Sequence, residues 1–280
     1  PSMRVTEFRD YLACPYRYWL RHRLGLGALD DGALELGPAE FGSLLHACLE
    51  RFAADPDLAA CTDAATIADA LSGILDDTVA RRYGTVAVPA VYVQAELARR
   101  RLQAFAEVQA LRAADGWRIL ATETSVTSER FEVDGTPVRL SGRIDRIDHH
   151  PERGVLQLLD YKTSAKGPPP EDTHRRGDDW VDLQLPLYRH LVAEIGDLPA
   201  AATVELGYFN LPARITATAV AIAPWTDADL AAADEVARGV VRAVRSGVFQ
   251  PLNPDARGFD EFDAICQLDV IRDDEDEEDA

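Results

Sequence analysis

The chain has 280 residues, 47% hydrophobic and 28% charged, which fits a soluble globular protein of one large α/β domain or two small ones and excludes a disordered or fibrous chain. No apolar run reaches the roughly 18 residues of a membrane span, no basic-then-apolar leader opens the sequence, and cysteines 14, 48, 61 and 266 form neither a CxxC pair nor a disulfide framework, so a cytoplasmic protein with no membrane partner is expected. The net charge is −19, of which about −7 lies in the acidic run Asp269–Asp279, a block expected to stay solvated and disordered.

Thr6 to about Arg23 reads as a helix with Phe8, Leu12, Trp19 and Leu20 among its apolar positions and Thr6 as its cap, while Pro1 and Ser2 carry no weight. Residues 25–37 are a glycine-punctuated connection, and helices follow at about 39–54, 64–82 and 90–114. The character changes at Trp117. WRILATETSVT alternates as a strand, and RFEVDG with PVRLSGRIDRID reads as a hairpin joined at Asp134-Gly135. GVLQLLDYKTS (154–164) has the nearly continuous apolar run of a buried central strand. Residues 163–178, with a proline run and no periodicity, exceed an ordinary connection and read as a functional loop or flap. A helix over about 179–195, strands ATVELGYFNL and ITATAVAI, and a helix from Thr226 to about Ser246 complete one α/β domain spanning 3–268, followed by the acidic tail 269–280.

Two neighbouring strands end in acidic chemistry. Asp145 lies in SGRIDRID and Asp160 in LLDYKTS, with Lys162 two residues on. Strand residues i and i+2 share a face, so Asp160 and Lys162 point the same way, and an adjacent strand can bring Asp145 beside them. Two such carboxylates make an oxygen-rich site suited to Mg²⁺ or Mn²⁺. The lysine can assist water attack on a phosphodiester or neutralise charge in the transition state. An exposed ion pair on an edge strand is the plainer reading, but Val155, Leu156, Leu158 and Leu159 mark the strand as buried, where charge is costly.

With these residues in view, the chain resembles the PD-(D/E)XK nuclease superfamily, and within it the RecB/AddB-like nuclease domains related to CRISPR-associated iron–sulfur exonucleases. Five segments follow the family's order: TEFRDYLACPYRYWLRHRLGL (6–26), FGSLLHACLERF (41–52), GRIDRID (142–148), LLDYKTS (158–164) and DLQLPLYRHL (182–191). The resemblance implies a restriction-endonuclease-like mixed central sheet flanked by helices, with a helical N-terminal portion. It also implies a metal held by His46, Asp145, Asp160 and the carbonyl of Tyr161, with Lys162 assisting the attacking water. Gln184 and Tyr188, four apart on one helix face, would orient the lysine or the scissile phosphate. The implied activity is a Mg²⁺- or Mn²⁺-dependent deoxyribonuclease, exonuclease in preference to endonuclease, working in DNA repair or end processing. No P-loop pattern is visible, so a helicase or repair subunit would be a separate chain.

Each carried-over residue has a plainer reading. His46 alone would be a core or surface histidine, and Gln184 with Tyr188 a polar stripe. Glu123 is either a partner of a metal ligand or an exposed strand position. For a chain this acidic, DNA must be met locally; Arg17, Arg21 and Arg23 on the first helix and Arg175 and Arg176 in the loop are the candidates for phosphate contact. The rival from another class is a catalytically silent nucleic-acid-binding or assembly subunit, against which the complete Asp145, Asp160 and Lys162 set argues.

The departure from the family is its cluster. Many relatives carry one cysteine in the opening Cys-Pro segment and three near the C-terminus. Here Cys14 and Cys266 fit the first and the last, while Arg257 and Asp260 occupy the other two places. Four thiolates are the norm for an iron–sulfur cluster, so none is expected. The C-terminal segment should still pack on the first helix, through Phe259, Phe262 and Ile265 against the Tyr18/Trp19 region, with an Arg257–Asp260 pair adding little.

Overall fold

The computed structural model describes residues 2–27, 36–84, 89–196, 198–199, 203–256 and 260–266. Strand β1 (Ser2–Arg4) opens the chain, so Ser2 belongs to the sheet and has weight after all. The helix expected from Thr6 is broken into α1 (Glu7–Ala13), α2 (Pro15–Tyr18) and a π-helical turn at Trp19–Arg23. The break falls at Cys14, whose backbone is extended (φ −161°, ψ 105°). Its cause is written in the sequence: a proline pushes the residue before it out of the helical region. Thr6 makes no capping hydrogen bond.

Helices α3 (Pro38–Ala53), α4 (Pro56–Ala59), α5 (Ala64–Tyr83) and α6 (Pro89–Asp115) follow. Strands β2 (Arg118–Val133) and β3 (Thr136–His150) then form the hairpin expected at Asp134-Gly135. Both turn residues sit in the left-handed region (φ 54° and 71°), which a two-residue hairpin turn requires. The two strands read before the turn are one continuous strand, with register shifts between Ile119 and Ala121 and between Ser128 and Phe131 absorbing the irregularity.

Strand β4 (Val155–Lys162) pairs antiparallel with β3 and parallel with β7 (Thr203–Asn210). Between β4 and β7 the expected loop 163–178 contains α7 (Pro170–His174) and β5 (Arg175–Arg176), which pairs with β6 (Asp179–Trp180) just beyond it in a small ribbon. Helix α8 therefore begins at Gln184, later than expected, and runs to Val192. Of ITATAVAI only β8 (Ala219–Ile222) is a strand. Helix α9 (Asp227–Arg245) starts at Thr226, whose hydroxyl accepts from Asp229 N while Asp229 Oδ2 accepts from Thr226 N.

The mixed sheet runs β1-β3-β4-β7-β8, with β2 on β3. Leu156 and Leu158 of β4 join one apolar layer with Phe8, Leu187, Leu191 and Val241. Leu159 and Tyr161 join the opposite layer with Leu45, Leu71, Phe105 and Phe209. Burial on both faces explains the unbroken apolar run of β4. Among the described residues no helix is long and apolar enough to cross a membrane.

The last described segment, which includes α10 (Asp263–Cys266), closes on the first helices. Arg17 donates to the carbonyl of Ala256 at 2.5 Å and to Asp263 at 3.0 Å, Arg21 pairs with Glu261, and Asn253 reaches the carbonyl of Ala13 at 2.9 Å. Phe262 and Cys266 are buried against Leu20, while Ile265, expected to pack inward, is 53% exposed. Arg257, Phe259 and the tail 269–280 lie outside the described residues.

Candidate metal centre and active site

Asp145 sits on β3 with an acidic residue to either side. The β3–β4 register reaches Arg146 opposite Leu159, and one step further brings Asp145 to Asp160. Across the other edge, Thr122 opposite Arg146 and Thr124 opposite Ile144 bracket Glu123 against Asp145. Tyr161 fixes the arrangement by donating its backbone N–H to Asp145 Oδ2 at 2.8 Å.

Helix α3 delivers His46 to the same place. Its Nδ1 lies 2.9 Å from Glu123 Oε1 and 3.7 Å from Asp145 Oδ2. Ligand atoms of His46, Glu123 and Asp145 all lie within 4.8 Å of one another, close enough to share one cation. Two carboxylates and an imidazole suit Mn²⁺ well, and Mg²⁺ through the oxygens. Glu123 is not an exposed strand residue: its side chain is only 3% exposed. Its backbone has φ +48°, a conformation that costs energy in any residue with a side chain and recurs at functional sites.

Asp160 belongs to a second group beside this cluster. Its Oδ1 accepts from Gln184 Nε2 at 2.7 Å, and its Oδ2 stands 2.8 Å from Lys162 Nζ. Lys162 also lies over the Tyr208 ring, with Nζ 4.8 Å from the centroid. Gln184 Nε2 is 2.7 Å from the Tyr188 hydroxyl, which itself donates to the carbonyl of Arg143 at 2.8 Å. Gln184 and Tyr188 are therefore an inward-facing bracket on α8 and not a surface stripe.

The electrostatics are those of a site short of positive charge. Burial and the charge of Asp160 push the Asp145 carboxyl up to about 7, against the opposing pull of His46 and the Tyr161 N–H. Burial works against the charged form of His46, but the Glu123 hydrogen bond and the surrounding carboxylates outweigh it and raise its pKa. Burial likewise opposes the charge on Lys162, and Asp160 with Tyr208 overcomes it, so Lys162 is held protonated above the ordinary lysine range. A bound divalent ion would relieve the clustered negative charge, so the residues present fit such an ion.

Two clefts meet at Asp145. One, of about 480 Å³, runs past His46, Glu123, Arg82 and Thr163; the other, of about 490 Å³, runs past Ser125, Ser141 and Gln184. Arg143 lines both. Strand alternation could have found it, since it stands two residues before Asp145 and shares its face. The two readings left open for Glu123 part only through the β2–β3 register, on which its place depends.

The five expected phosphate contacts divide. Arg17 is 1% exposed and held by Ala256 and Asp263, so it has no reach to a phosphate. Arg21 is bound up with Asp10 and Glu261. Arg175 pairs with Asp229 at 3.0 Å and lies over Trp180. These three hold the fold together. Arg23 and Arg176 are exposed, and Arg176 lines a further cleft of about 530 Å³ with Arg9.

Residues 2–267 match the PD-(D/E)XK nuclease superfamily. The chain is similar to a subunit of the ATP-dependent helicase/deoxyribonuclease of Ruminiclostridium cellulolyticum, 27% identical over 218 residues covering 69% of this chain and 18% of that protein. It is also similar to the like-named protein from Moorella thermoacetica, 28% identical over 186 residues covering 58% of this chain and 15% of that one. The chain thus spans less than a fifth of the length of these relatives.

Proposed function

The chain belongs to the PD-(D/E)XK nuclease superfamily, and from that premise we propose that it is a metal-dependent deoxyribonuclease acting in DNA repair or the processing of DNA ends. The observation that carries this reading is the meeting of His46, Glu123 and Asp145 beside the Asp160–Lys162 pair. His46, Glu123 and Asp145 would hold Mg²⁺ or Mn²⁺, with Asp160 and the Tyr161 backbone beside it. When bound, the ion supplies Lewis-acid polarisation and charge neutralisation at the phosphodiester.

The remaining work falls to this chain's own groups. A protonated Lys162 donates a hydrogen bond to the developing negative charge, in a role closer to electrostatic stabilisation than to proton abstraction. Gln184 holds the Asp160 carboxylate in one orientation, and Tyr188 ties that bracket to the β3 backbone. The two clefts meeting at Asp145 offer a path for a strand on either side of the cleaved bond.

DNA as substrate is supported by the relatives' name of deoxyribonuclease, and the same name supports a helicase as the partner. Exonucleolytic action is preferred on the likeness to RecB/AddB-like domains. The assembled site also favours a catalyst over a silent subunit, which would have no need to keep Asp145, Asp160 and Lys162 together. The test is incubation of the purified protein with end-labelled single- and double-stranded DNA in Mg²⁺, Mn²⁺ or EDTA. Metal-dependent cleavage is expected. No cleavage of either substrate with either metal would hand the case to the silent-subunit reading.

A further inference from the structure

Arg143 occupies an odd position for a basic residue. Its side chain is 54% exposed, yet its Nε lies 2.6 Å from Glu123 Oε2, a carboxylate whose side chain is 3% exposed. Glu123 Oε1 is taken by His46 at 2.9 Å, so both oxygens of this buried carboxylate have cationic or imidazole partners. A second carboxylate, Glu50, stands 3.9 Å from Arg143 Nη2. The Arg143 carbonyl accepts from the Tyr188 hydroxyl at 2.8 Å, which anchors the backbone, while the half-exposed side chain has room to swing. That side chain lies where the two clefts join over Asp145.

We propose that Arg143 is an exchangeable counter-ion: it neutralises Glu123 until a divalent cation takes that carboxylate, and it then turns to bind a DNA phosphate at the junction of the clefts. This rests on the metal-dependent nuclease reading. The chemistry is one of competing charges. A buried carboxylate is costly unless paired, so Glu123 keeps Arg143 while no metal is present. A divalent ion beside Glu123 supplies two positive charges and leaves the guanidinium facing net repulsion. A phosphate oxygen pair is then its best partner, because the planar guanidinium fits it with two parallel hydrogen bonds. Half exposure lets the side chain make this exchange without opening the core. Metal and DNA would thereby help each other to bind, and by linkage the help is equal in both directions.

The test separates this from the activity itself. Wild-type protein and Arg143→Ala are titrated with Mn²⁺ alone, reading free Mn²⁺ by electron paramagnetic resonance. The titration is repeated with a short oligonucleotide in a Lys162→Ala background, in which cleavage is slowed enough for binding to be read. Without DNA, Arg143→Ala should bind Mn²⁺ roughly two- to fivefold more tightly, the worth of a half-exposed ion pair. In the presence of Mn²⁺ its affinity for the oligonucleotide should fall about tenfold, the worth of one charge-assisted hydrogen bond. The oligonucleotide should tighten Mn²⁺ binding in the parent and do so much less in the Arg143→Ala form. Arg143→Lys, which keeps the charge and loses the fork, should hold Mn²⁺ as the wild type does and recover only part of the DNA affinity. Unchanged or weaker Mn²⁺ binding by Arg143→Ala, or an undiminished mutual effect of DNA and metal, would overturn the proposal while leaving the nuclease reading intact. Wild-type protein that binds no Mn²⁺ would sink both.

Discussion

Gln184 on α8 donates to Asp160 on β4 across 2.7 Å, joining a helix and a strand whose contact residues are 24 apart in sequence. Gln184→Ala frees the carboxylate and also removes a partner of the Tyr188 hydroxyl. Removing a residue that orients a ligand typically costs about 10–100-fold, so kcat should fall by that much while the melting temperature changes little. Tyr188→Phe should behave differently. It removes the hydrogen bond to the part-buried Arg143 carbonyl, at roughly 0.5–1.5 kcal/mol of stability, and lowers kcat less. Steady-state cleavage and thermal melts of the two variants check the split; equal loss of stability in both would deny Gln184 an orienting role.

Lys162→Ala should lower cleavage by about 10²–10³-fold, the usual loss when one transition-state donor is removed. DNA binding and secondary structure should persist, because the Lys162 side chain is 29% exposed and belongs to neither apolar layer of the sheet. Asp160→Asn should weaken metal binding as well as cleavage. Full activity in Lys162→Ala would remove Lys162 from the catalytic machinery. Cleavage rate, oligonucleotide affinity and circular dichroism, measured together, decide it.

How much of this was legible in the sequence depends on how local each signal is. Asp160 and Lys162 share a face by strand alternation, and an eight-residue strand suffices to see it. Thr226 and the Asp134-Gly135 turn are equally local. Glu123 needed the pairing of β2 with β3 through a strand that contains register shifts, which no single segment encodes. Arg17 misled for the opposite reason. A basic residue near the end of an amphipathic helix reads as surface, but the face it occupies is covered by a segment 239–246 residues away. The ribbon of β5 and β6, which straddles the end of the expected loop and the start of the expected helix, was missed because two-residue strands leave no periodicity to find.

Asp145 makes metal binding and stability depend on pH in a stated direction. Its carboxyl is raised from 3.8 to about 7, so the folded protein binds this proton more tightly than the unfolded chain does. The resulting stability is fully present below about pH 4 and is lost as pH rises through about 7, so the metal-free protein weakens across that window. A divalent cation needs the deprotonated carboxylate, and His46, also raised, adds a proton that competes in the same sense. Mn²⁺ affinity should therefore climb by up to about tenfold per pH unit below 7 for the one Asp145 proton and flatten above it. Melts with Mn²⁺ or with EDTA at about pH 5.5 and about pH 8 should show a small metal-induced gain at the lower value and a large one at the higher. A gain independent of pH would exclude Asp145 as a ligand.

The C-terminal clasp should hold without iron. By the resemblance drawn from the sequence, Arg257 and Asp260 take two of the four cysteine places, leaving Cys14 and Cys266 against the four thiolates a cluster normally takes. Colourless protein without stoichiometric iron is therefore expected. The tie that remains is apolar and ionic: Phe262 is 1% exposed against Leu20, Arg17 reaches Ala256 and Asp263, and Cys14 Sγ accepts from Asn253 N at 3.3 Å. Arg17→Ala removes the hydrogen bonds to Ala256 and Asp263 from a charged, buried donor and should cost roughly 1.5–3 kcal/mol. Phe262→Ala should cost roughly 3 kcal/mol through the cavity it leaves. Both variants should label faster at Cys14, whose side chain is fully buried in the native clasp, and neither should change the salt dependence of DNA binding. The measurements are an iron assay with a visible spectrum, thiol labelling rates and a salt titration. Bound iron–sulfur would show that other ligands complete a cluster, and a flatter salt dependence in Arg17→Ala would return that arginine to the DNA surface.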